Sequence, residues 1–359
     1  MRFAATLSRL QAVQTPRNHA FIKKATEAMA GRKPKLIVDT LSPTNSHLLN
    51  LALSDVVPNK YMNPQFPLPS DEPPLPYGHH LVYFPLQLPT SMLMPDGTDP
   101  DHSPGDPFVR RMWAGGELTF HRGQQLRLDN RRAVCLETLG APVMKLGASE
   151  AQDKIFVNVR RRYGRIRDEK DSDLVGMDNM LSGHADSVFI DETRSLVFMR
   201  KPPPASQDGA GSGAAKKTSE RDTDLSFSTA LSDVMLFQFS ALTYNAHVIH
   251  YDRQAAKARE GIDDLLVHGP LMLVLMTTAL GHVCRTEKLE IRHFKYRNLK
   301  PLHPNEDMEV GVRQTKKNDE HDAGEADSRS YEVWIRGPDG RHAVKATATL
   351  VPSQSSTLD

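Results

Sequence analysis

Residues 268–280 read His-Gly-Pro-Leu-Met-Leu-Val-Leu-Met-Thr-Thr-Ala-Leu, and they contain the longest apolar run of the chain. The Gly269-Pro270 pair predicts a helix start, because proline in the first turn loses no hydrogen bond that the helix needs. A helix that is apolar on every side must be enclosed by other elements. The run is shorter than the ~18 residues of a membrane span. It therefore predicts a buried helix, and no membrane partner.

Four candidate strands follow this helix. In three of them apolar and polar residues alternate, as expected for strands with one buried face. The four segments are 289–296, 308–312, 331–335 and 344–350. One helix followed by antiparallel strands predicts an α+β unit in which a sheet wraps around the helix.

The first half of the chain contains a comparable series of candidate strands. They are 117–121, 125–128, 133–137, 155–159 and 188–200, the last predicted to be a hairpin through 191–194. The candidate helix is Ser46–Asp55, and the proline-rich residues 60–107 resist assignment. The chain is therefore predicted to hold two degenerate copies of one unit, although no residue-level repeat is evident.

A polar segment rich in Pro, Gly, Ala and Ser separates the two halves. It begins near Pro202-Pro-Pro204 and has the composition of a flexible linker. The predicted boundaries are 35–203 for the first half, 204–227 for the linker and 228–352 for the second half. A second polar stretch, 316–329, is predicted to be a surface loop.

Residues 1–26 contain five Lys or Arg and no Asp or Glu. Wound as a helix, Phe3, Leu7 and Leu10 share one face, with basic residues on its flank. This pattern predicts a mitochondrial presequence, and the alternative is a basic tail that arose by chance.

The composition excludes several classes of protein. The 359 residues include 45 Lys+Arg and 44 Asp+Glu, so the net charge of +1 does not indicate a nucleic-acid partner. Two cysteines cannot form a disulfide scaffold or a cysteine-rich zinc site.

The residues with the clearest chemical potential lie just before the apolar helix. Asn245, His247, His250 and Asp252 fall within eight residues, and His268-Gly269 follows at the helix start. Histidine can take and give a proton near neutral pH, and a helix N-terminus can stabilise a developing oxyanion. The spacing is equally compatible with a surface histidine pair at an ordinary helix start. Zinc binding by the two histidines and Asp252 matches no recognised ligand spacing.

The segment Phe239-Ser-Ala-Leu-Thr-Tyr-Asn-Ala-His-Val-Ile-His-Tyr-Asp252, followed by Leu266-Val-His-Gly-Pro-Leu271, resembles the active-site region of MaoC-like hydratases and dehydratases. The branch it resembles most contains the eukaryotic mitochondrial type 2 3-hydroxyacyl-thioester dehydratases and the itaconyl-/mesaconyl-CoA hydratases. Two further segments match, Phe108-Val-Arg-Arg-Met-Trp-Ala-Gly-Gly116 and Phe294-Lys-Tyr-Arg-Asn-Leu-Lys-Pro-Leu302. The resemblance covers roughly residues 35–350.

This resemblance implies an α+β double hot-dog fold, with two antiparallel sheets each wrapped around a central helix. It also implies a hydro-lyase that reversibly hydrates enoyl thioesters on CoA or an acyl carrier protein, needs no cofactor or metal, and is compatible with a homodimer. The family motif, Gly-Asp-x-Asn-Pro-x-His-x-Asp, places the catalytic histidine at His250. Asn245 stands where the motif has its catalytic aspartate.

The implied roles of the site residues follow from this alignment. His250 would exchange the proton and activate water, Asn245 would orient that water, and the Gly269 N–H would polarise the thioester carbonyl. The residues expected to bind the substrate are Tyr244, His247, Asp252 and His268.

Three functions stay open at this stage. The first is a 3-hydroxyacyl-thioester dehydratase of mitochondrial fatty-acid synthesis, and the second is an itaconyl-CoA or mesaconyl-CoA hydratase. The third is a non-catalytic hot-dog that binds acyl thioesters, which the replacement at Asn245 favours. A cationic residue deep in the acyl pocket would favour the dicarboxylate substrate.

Overall fold

The computed structural model describes residues 16–62, 72–121, 123, 125–165, 188–201, 223–315 and 327–353. The longer helices are α1 (Pro16–Ala30), α2 (Pro43–Ser54), α3 (Asp233–Thr243) and α4 (Gly269–Glu287). The strands of the first half are β1 (Lys35–Thr40), β2 (Arg110–Phe120), β3 (Arg132–Leu139), β4 (Val143–Lys145), β5 (Lys154–Arg165) and β6 (Ile190–Met199). The strands of the second half are β7 (Leu225–Ala230), β8 (Leu289–Asn298), β9 (Asp307–Thr315), β10 (Arg329–Arg336) and β11 (His342–Pro352).

The strands form one continuous antiparallel sheet in the order β1-β3-β5-β6-β2-β8-β11-β10-β9-β7, with β4 paired to β5. Counted outward from the β2–β8 junction, the two halves have the same strand order. At that junction Gly115 pairs with Arg297 and Thr119 with His293. The prediction of two copies of one α+β unit is therefore confirmed.

Helix α4 is the central helix of the second half. It begins at Gly269, as the sequence predicts, and packs against β8, β9 and β10. Residues 271–276 are all buried. Burying each such side chain contributes ~1.5–3 kcal/mol, so the helix and the sheet stabilise each other.

The first half has the same strand order as the second half but lacks a long central helix among its described residues. Helix α2 confirms the predicted helix near Ser46–Asp55, and its N-cap Ser42 corresponds to Ser232 at the start of α3. In the described part of 72–108, short 3₁₀ turns, including His79–Val82, lie where the second half has its long helix.

Two strand predictions in the first half were wrong. The predicted hairpin through 191–194 is absent, because β6 continues straight from Ile190 to Met199 and pairs with both β5 and β2. Residues 125–128 form only a single bridge, between Arg127 and Pro74.

The predicted boundaries differ from the observed elements at two places. Strand β7 begins at Leu225, so residues 225–227 belong to the sheet and not to the linker. Most of the predicted linker, 204–222, lies outside the described residues. Residues 1–15 also lie outside them, but α1 spans the boundary predicted at residue 26. Ala25 and Met29 of α1 are buried, and the Phe21 ring lies 5.3 Å from that of Phe108. The packed chain therefore begins before residue 26.

The second polar stretch, 316–329, lies mostly outside the described residues, and its last residue begins β10. Among the described helices, none has the length and apolar character required to cross a membrane.

Candidate active site

The end of α3 turns the chain back toward α4. Tyr244 adopts a left-handed conformation (φ 51°, ψ 38°), and the Asn245 N–H donates to the Ser240 carbonyl at 2.9 Å. This is a common way to satisfy the last carbonyls of a helix. The reversal places residues 245–250 at the mouth of α4.

His250 lies in a 3₁₀ turn (Val248–His250) and is 7% exposed. Its Nδ1 lies 2.7 Å from the Leu266 carbonyl oxygen. Because a carbonyl can only accept, Nδ1 carries the proton and Nε2 keeps its lone pair. His250 also lines a cavity of about 1160 Å³. Since Nδ1 is engaged, Nε2 is the ring nitrogen that can act as a base.

The surroundings of His250 keep it neutral. Burial lowers its pKa to about 4, the hydrogen bond to Leu266 opposes that shift, and the positive charge of Arg111 adds to it. A neutral imidazole at pH 7 can act as a base without first losing a proton.

His268 supports His250 from behind. The two rings are stacked, with centroids 3.6 Å apart and an interplanar angle of 18°. His268 is fully buried, and its Nε2 lies 2.9 Å from the Ser240 hydroxyl oxygen. His268 does not line the cavity and lies against the His250 ring, so its role in substrate binding stays a prediction.

Gly269 is the first residue of α4 and lines the cavity. At this position the backbone N–H has no acceptor within the helix and lies at the positive end of the helix dipole. A Cβ added here would lie 3.0 Å from Trp113 Cβ and 3.0 Å from Asn298 Nδ2. Glycine therefore fits both the close packing of β2 against α4 and the approach of a substrate carbonyl.

Asn245 lines the same cavity. Its Oδ1 accepts a hydrogen bond from the His247 N–H at 3.0 Å. Oδ1 is therefore engaged by the backbone, and no described residue accepts a hydrogen bond from Nδ2. The amide NH₂ is the group that can contact water or substrate.

The other predicted binding residues divide into two groups. Tyr244 and His247 line the cavity, Tyr244 at its exposed rim and His247 buried beside His250. Asp252 does not line it. The Asp252 carboxylate caps the following short helix by accepting from the Ala255 N–H at 2.9 Å, and its role in substrate binding stays a prediction.

A loop from the first half holds the catalytic turn and was missed by the sequence analysis. The Asp96 carbonyl accepts from the Val248 N–H at 3.0 Å, and Gly97 has a φ of +87°. A Cβ on Gly97 would lie 1.8 Å from the Ala246 carbonyl oxygen. The Pro95-Asp-Gly97 sequence is a turn signal that could have indicated the loop, but not its contact across the two halves.

The cavity has a volume of about 1160 Å³ and is lined by residues of both halves. It lies over β2, β5 and β8 and reaches the start of α4. In its wall the Trp113 indole N–H donates to the Tyr296 hydroxyl oxygen at 2.7 Å. Such a volume exceeds the ~300–1,000 Å³ of typical ligand pockets.

Two groups of acidic and histidine side chains come within metal-ligand distance among the described residues. They are Asp96, His247 and Glu260, and Asp99, His102 and Glu137. Glu260 is paired with Arg110 at 3.3 Å and Glu137 with Arg161 at 3.1 Å, so protein cations already neutralise these carboxylates. His247, His250 and Asp252 do not form a metal-binding group among the described residues, because the Asp252 carboxylate caps a helix.

The sequence profile of hydroxyacyl-thioester dehydratase type 2 matches residues 78–304, well over half of the chain. The chain belongs to this family. The match includes most of the cavity wall, the turn that carries His250 and the whole of α4.

Two curated relatives extend over most of the chain. The mesaconyl-C(4)-CoA hydratase of Chloroflexus aurantiacus is 29% identical over 295 residues, which is 80% of this chain and 88% of that protein. The mitochondrial hydroxyacyl-thioester dehydratase type 2 of Schizosaccharomyces pombe is 24% identical over 284 residues, which is 78% of this chain and 90% of that protein.

A solved MaoC-like dehydratase from Phytophthora capsici has the same fold. It aligns with a TM-score of 0.56 and 11% identity over 92% of this chain and 99% of its own. The double hot-dog predicted from the sequence is therefore confirmed.

Proposed function

We propose that this protein is a hydro-lyase that reversibly hydrates a trans-2-enoyl thioester to a 3-hydroxyacyl thioester. The observation that carries the proposal is one shared cavity. It brings the neutral His250, whose Nε2 keeps a lone pair, to the same space as the Gly269 N–H at the start of α4.

The reaction begins with the attack of water. The thioester carbonyl accepts a hydrogen bond from the Gly269 N–H, and Asn245 Nδ2 orients a water molecule near the β-carbon. His250 Nε2 removes one proton as the water oxygen bonds to that carbon. The π electrons of the double bond move into the thioester, which becomes an enolate stabilised at the helix N-terminus.

Protonation completes the addition. The enolate electrons form a C–H bond at the α-carbon with the proton that His250 accepted, and His250 is neutral again. The dehydration direction reverses each step, so atoms and charge balance without a cofactor. A single oxyanion donor is worth ~10²–10³ in rate, which makes the helix start as important as the base.

The proposal is tested by hydration of crotonyl-CoA, followed by loss of the enoyl absorbance. The wild-type protein should hydrate it, and His250→Ala should lose at least ~10²-fold in kcat because it lacks the base. His303 provides a matched control, since its Nδ1 lies 2.9 Å from the neighbouring Leu265 carbonyl oxygen but the residue does not line the cavity. His303→Gln should retain turnover. Full activity of His250→Ala would refute the proposal.

We also place the protein in mitochondria. Yeast relatives with mitochondrial names support this location, as does the basic, acid-free composition of residues 1–26. A fluorescent protein fused to residues 1–26 should enter mitochondria, and a diffuse signal would contradict the location.

Two acyl classes fit the proposed reaction. The yeast relatives support 3-hydroxyacyl intermediates of mitochondrial fatty-acid synthesis, and the Chloroflexus relative supports a short dicarboxylate. The thioester would be delivered on CoA or on a carrier protein.

A further inference from the structure

The wall of the cavity contains an arginine whose guanidinium has no hydrogen-bond acceptor among the described residues. Arg111 belongs to β2 and lines the cavity, and its Nη1 is buried. No described residue accepts a hydrogen bond from its guanidinium. A buried charged donor left unsatisfied is costly, so such a group normally has a partner.

The carboxylates nearest to Arg111 are already engaged. Asp96 accepts from the Thr98 N–H and hydroxyl, at 3.0 and 2.6 Å. Asp99 is paired with Lys35 at 3.0 Å. Glu137 and Glu260 are paired with Arg161 and Arg110. These groups partly balance the charge of Arg111, but they leave its donors unoccupied.

Arg111 lies near the reacting end of the substrate. Its charge acts on the imidazoles of both His247 and His250. Along β2 it is two residues from Trp113, which contacts Gly269 at the proposed carbonyl site. Two residues of a strand span ~7 Å, so Arg111 lies within side-chain reach of groups attached to the β-carbon.

We infer that Arg111 binds a carboxylate carried by the β-carbon of the acyl group, so that the substrate is the thioester of a short dicarboxylic acid. This inference rests on the proposed hydration reaction and names its substrate class. A carboxylate fits the planar fork of a guanidinium with two parallel hydrogen bonds. An alkyl chain at the same place would leave the buried Nη1 of this half-buried arginine without a partner.

The inference is tested first with two unreactive ligands that differ only in this group. Succinyl-CoA has a carboxylate on the β-carbon, where butyryl-CoA has a methyl group. Calorimetry on the wild-type protein should show succinyl-CoA binding at least ~10-fold more tightly, in line with a charged hydrogen-bonded pair. Equal affinities, or a preference for butyryl-CoA, would overturn the inference whether or not any variant folds.

The variants identify the residue responsible. Arg111→Met should lose the preference for succinyl-CoA and bind butyryl-CoA within about twofold of the wild type, and Arg111→Lys should retain part of the preference. Lys145→Met removes the same charge from an exposed cation of the cavity wall and should leave the preference unchanged. Equal weakening of both ligands by Arg111→Met, in protein with a native melting temperature, would overturn the inference and assign Arg111 to the CoA moiety.

Turnover separates this inference from the proposed function. Fumaryl-CoA and crotonyl-CoA form the matching reactive pair, and fumaryl-CoA should have the higher kcat/KM. Hydration of crotonyl-CoA without any preference for fumaryl-CoA would overturn the inference alone. Hydration of neither, with succinyl-CoA still preferred in binding, would overturn the proposed function and retain the carboxylate site.

Discussion

At the scale of residues, the site depends on which ring atom of His250 is basic. The Leu266 carbonyl fixes the proton on Nδ1, and the stacked ring of His268 fixes the plane of the imidazole. His268 is in turn held through its Nε2 by Ser240 of α3. The orientation of the base is therefore set by packing and by groups that never touch the substrate.

Asn245 stands where the family motif has an aspartate, and this replacement changes which residue can transfer protons. An amide cannot accept and return a proton as a carboxylate can, whereas it can donate a hydrogen bond to water. Its Oδ1 is engaged by the His247 N–H. We therefore assign both proton transfers to His250.

At the scale of elements, the turn that carries His250 is supported from the opposite half of the chain. The loop around Gly97 contacts the Ala246 carbonyl, and the Asp96 carbonyl holds the Val248 N–H. A misplacement of ~1 Å in a catalytic group can cost ~10²-fold in rate. This loop is therefore a positioning element for the base.

Gly97→Ala should lower kcat by ~10²-fold, because its Cβ would displace the Ala246 carbonyl and the adjoining catalytic turn. Gly105→Ala is the matched control, since Gly105 has a similar φ of +94° but open space around a Cβ. Both substitutions carry the strain of a positive φ, which costs ~1–3 kcal/mol of stability, and Gly97→Ala loses further stability through its close contact with Ala246. Steady-state turnover of crotonyl-CoA measures the difference, and equal activity of the two variants would contradict the role of the loop.

At the scale of the whole molecule, the two halves form one sheet but contribute different chemical groups to the site. The cavity wall contributed by the first half contains charged groups, while the base and helix mouth belong to the second half. Beneath that wall, Glu192 is fully buried and is paired with Arg194 at 2.8 Å and with the Tyr163 hydroxyl at 2.5 Å. The first half thus forms a polar core of its own beside the acyl space.

Four buried histidines link stability to pH. Burial lowers the pKa of His79 to about 3 and of His250 to about 4, and it lowers the pKa values of His247 and His268 well below their usual range. Below pH 6.5 the unfolded chain binds protons at these sites and the folded chain does not. The free energy of unfolding should therefore fall as pH falls below about 6.5, by ~1.4 kcal/mol per pH unit for each histidine.

Urea unfolding between pH 5 and pH 7.5 measures this effect. Above pH 6.5 these histidines are unprotonated in both the folded and the unfolded chain, so they do not lower the free energy of unfolding there. A stability that stays constant down to pH 4.5, where carboxylates begin to titrate, would contradict the burial of neutral histidines.

The sequence predicted the second half better than the first. The apolar run from Gly269, the alternating strands and the cluster at His250 are local patterns, and the structure bears out the fold they imply. Contacts across the halves have no local pattern, so the Gly97 loop was not predicted. The sequence did not show that Asp252 and His268 lie outside the cavity lining, because spacing shows proximity and not which side chain faces the cavity.

The stereochemistry of hydration tests the central claim, that His250 alone handles both protons, more directly than any other measurement. A single base on one side of the planar enoyl group must deliver oxygen and proton to the same face. Hydration of crotonyl-CoA in D₂O, with the product analysed by NMR, should therefore give syn addition with deuterium at the α-carbon. Anti addition would require a second acid on the opposite face and would contradict the account.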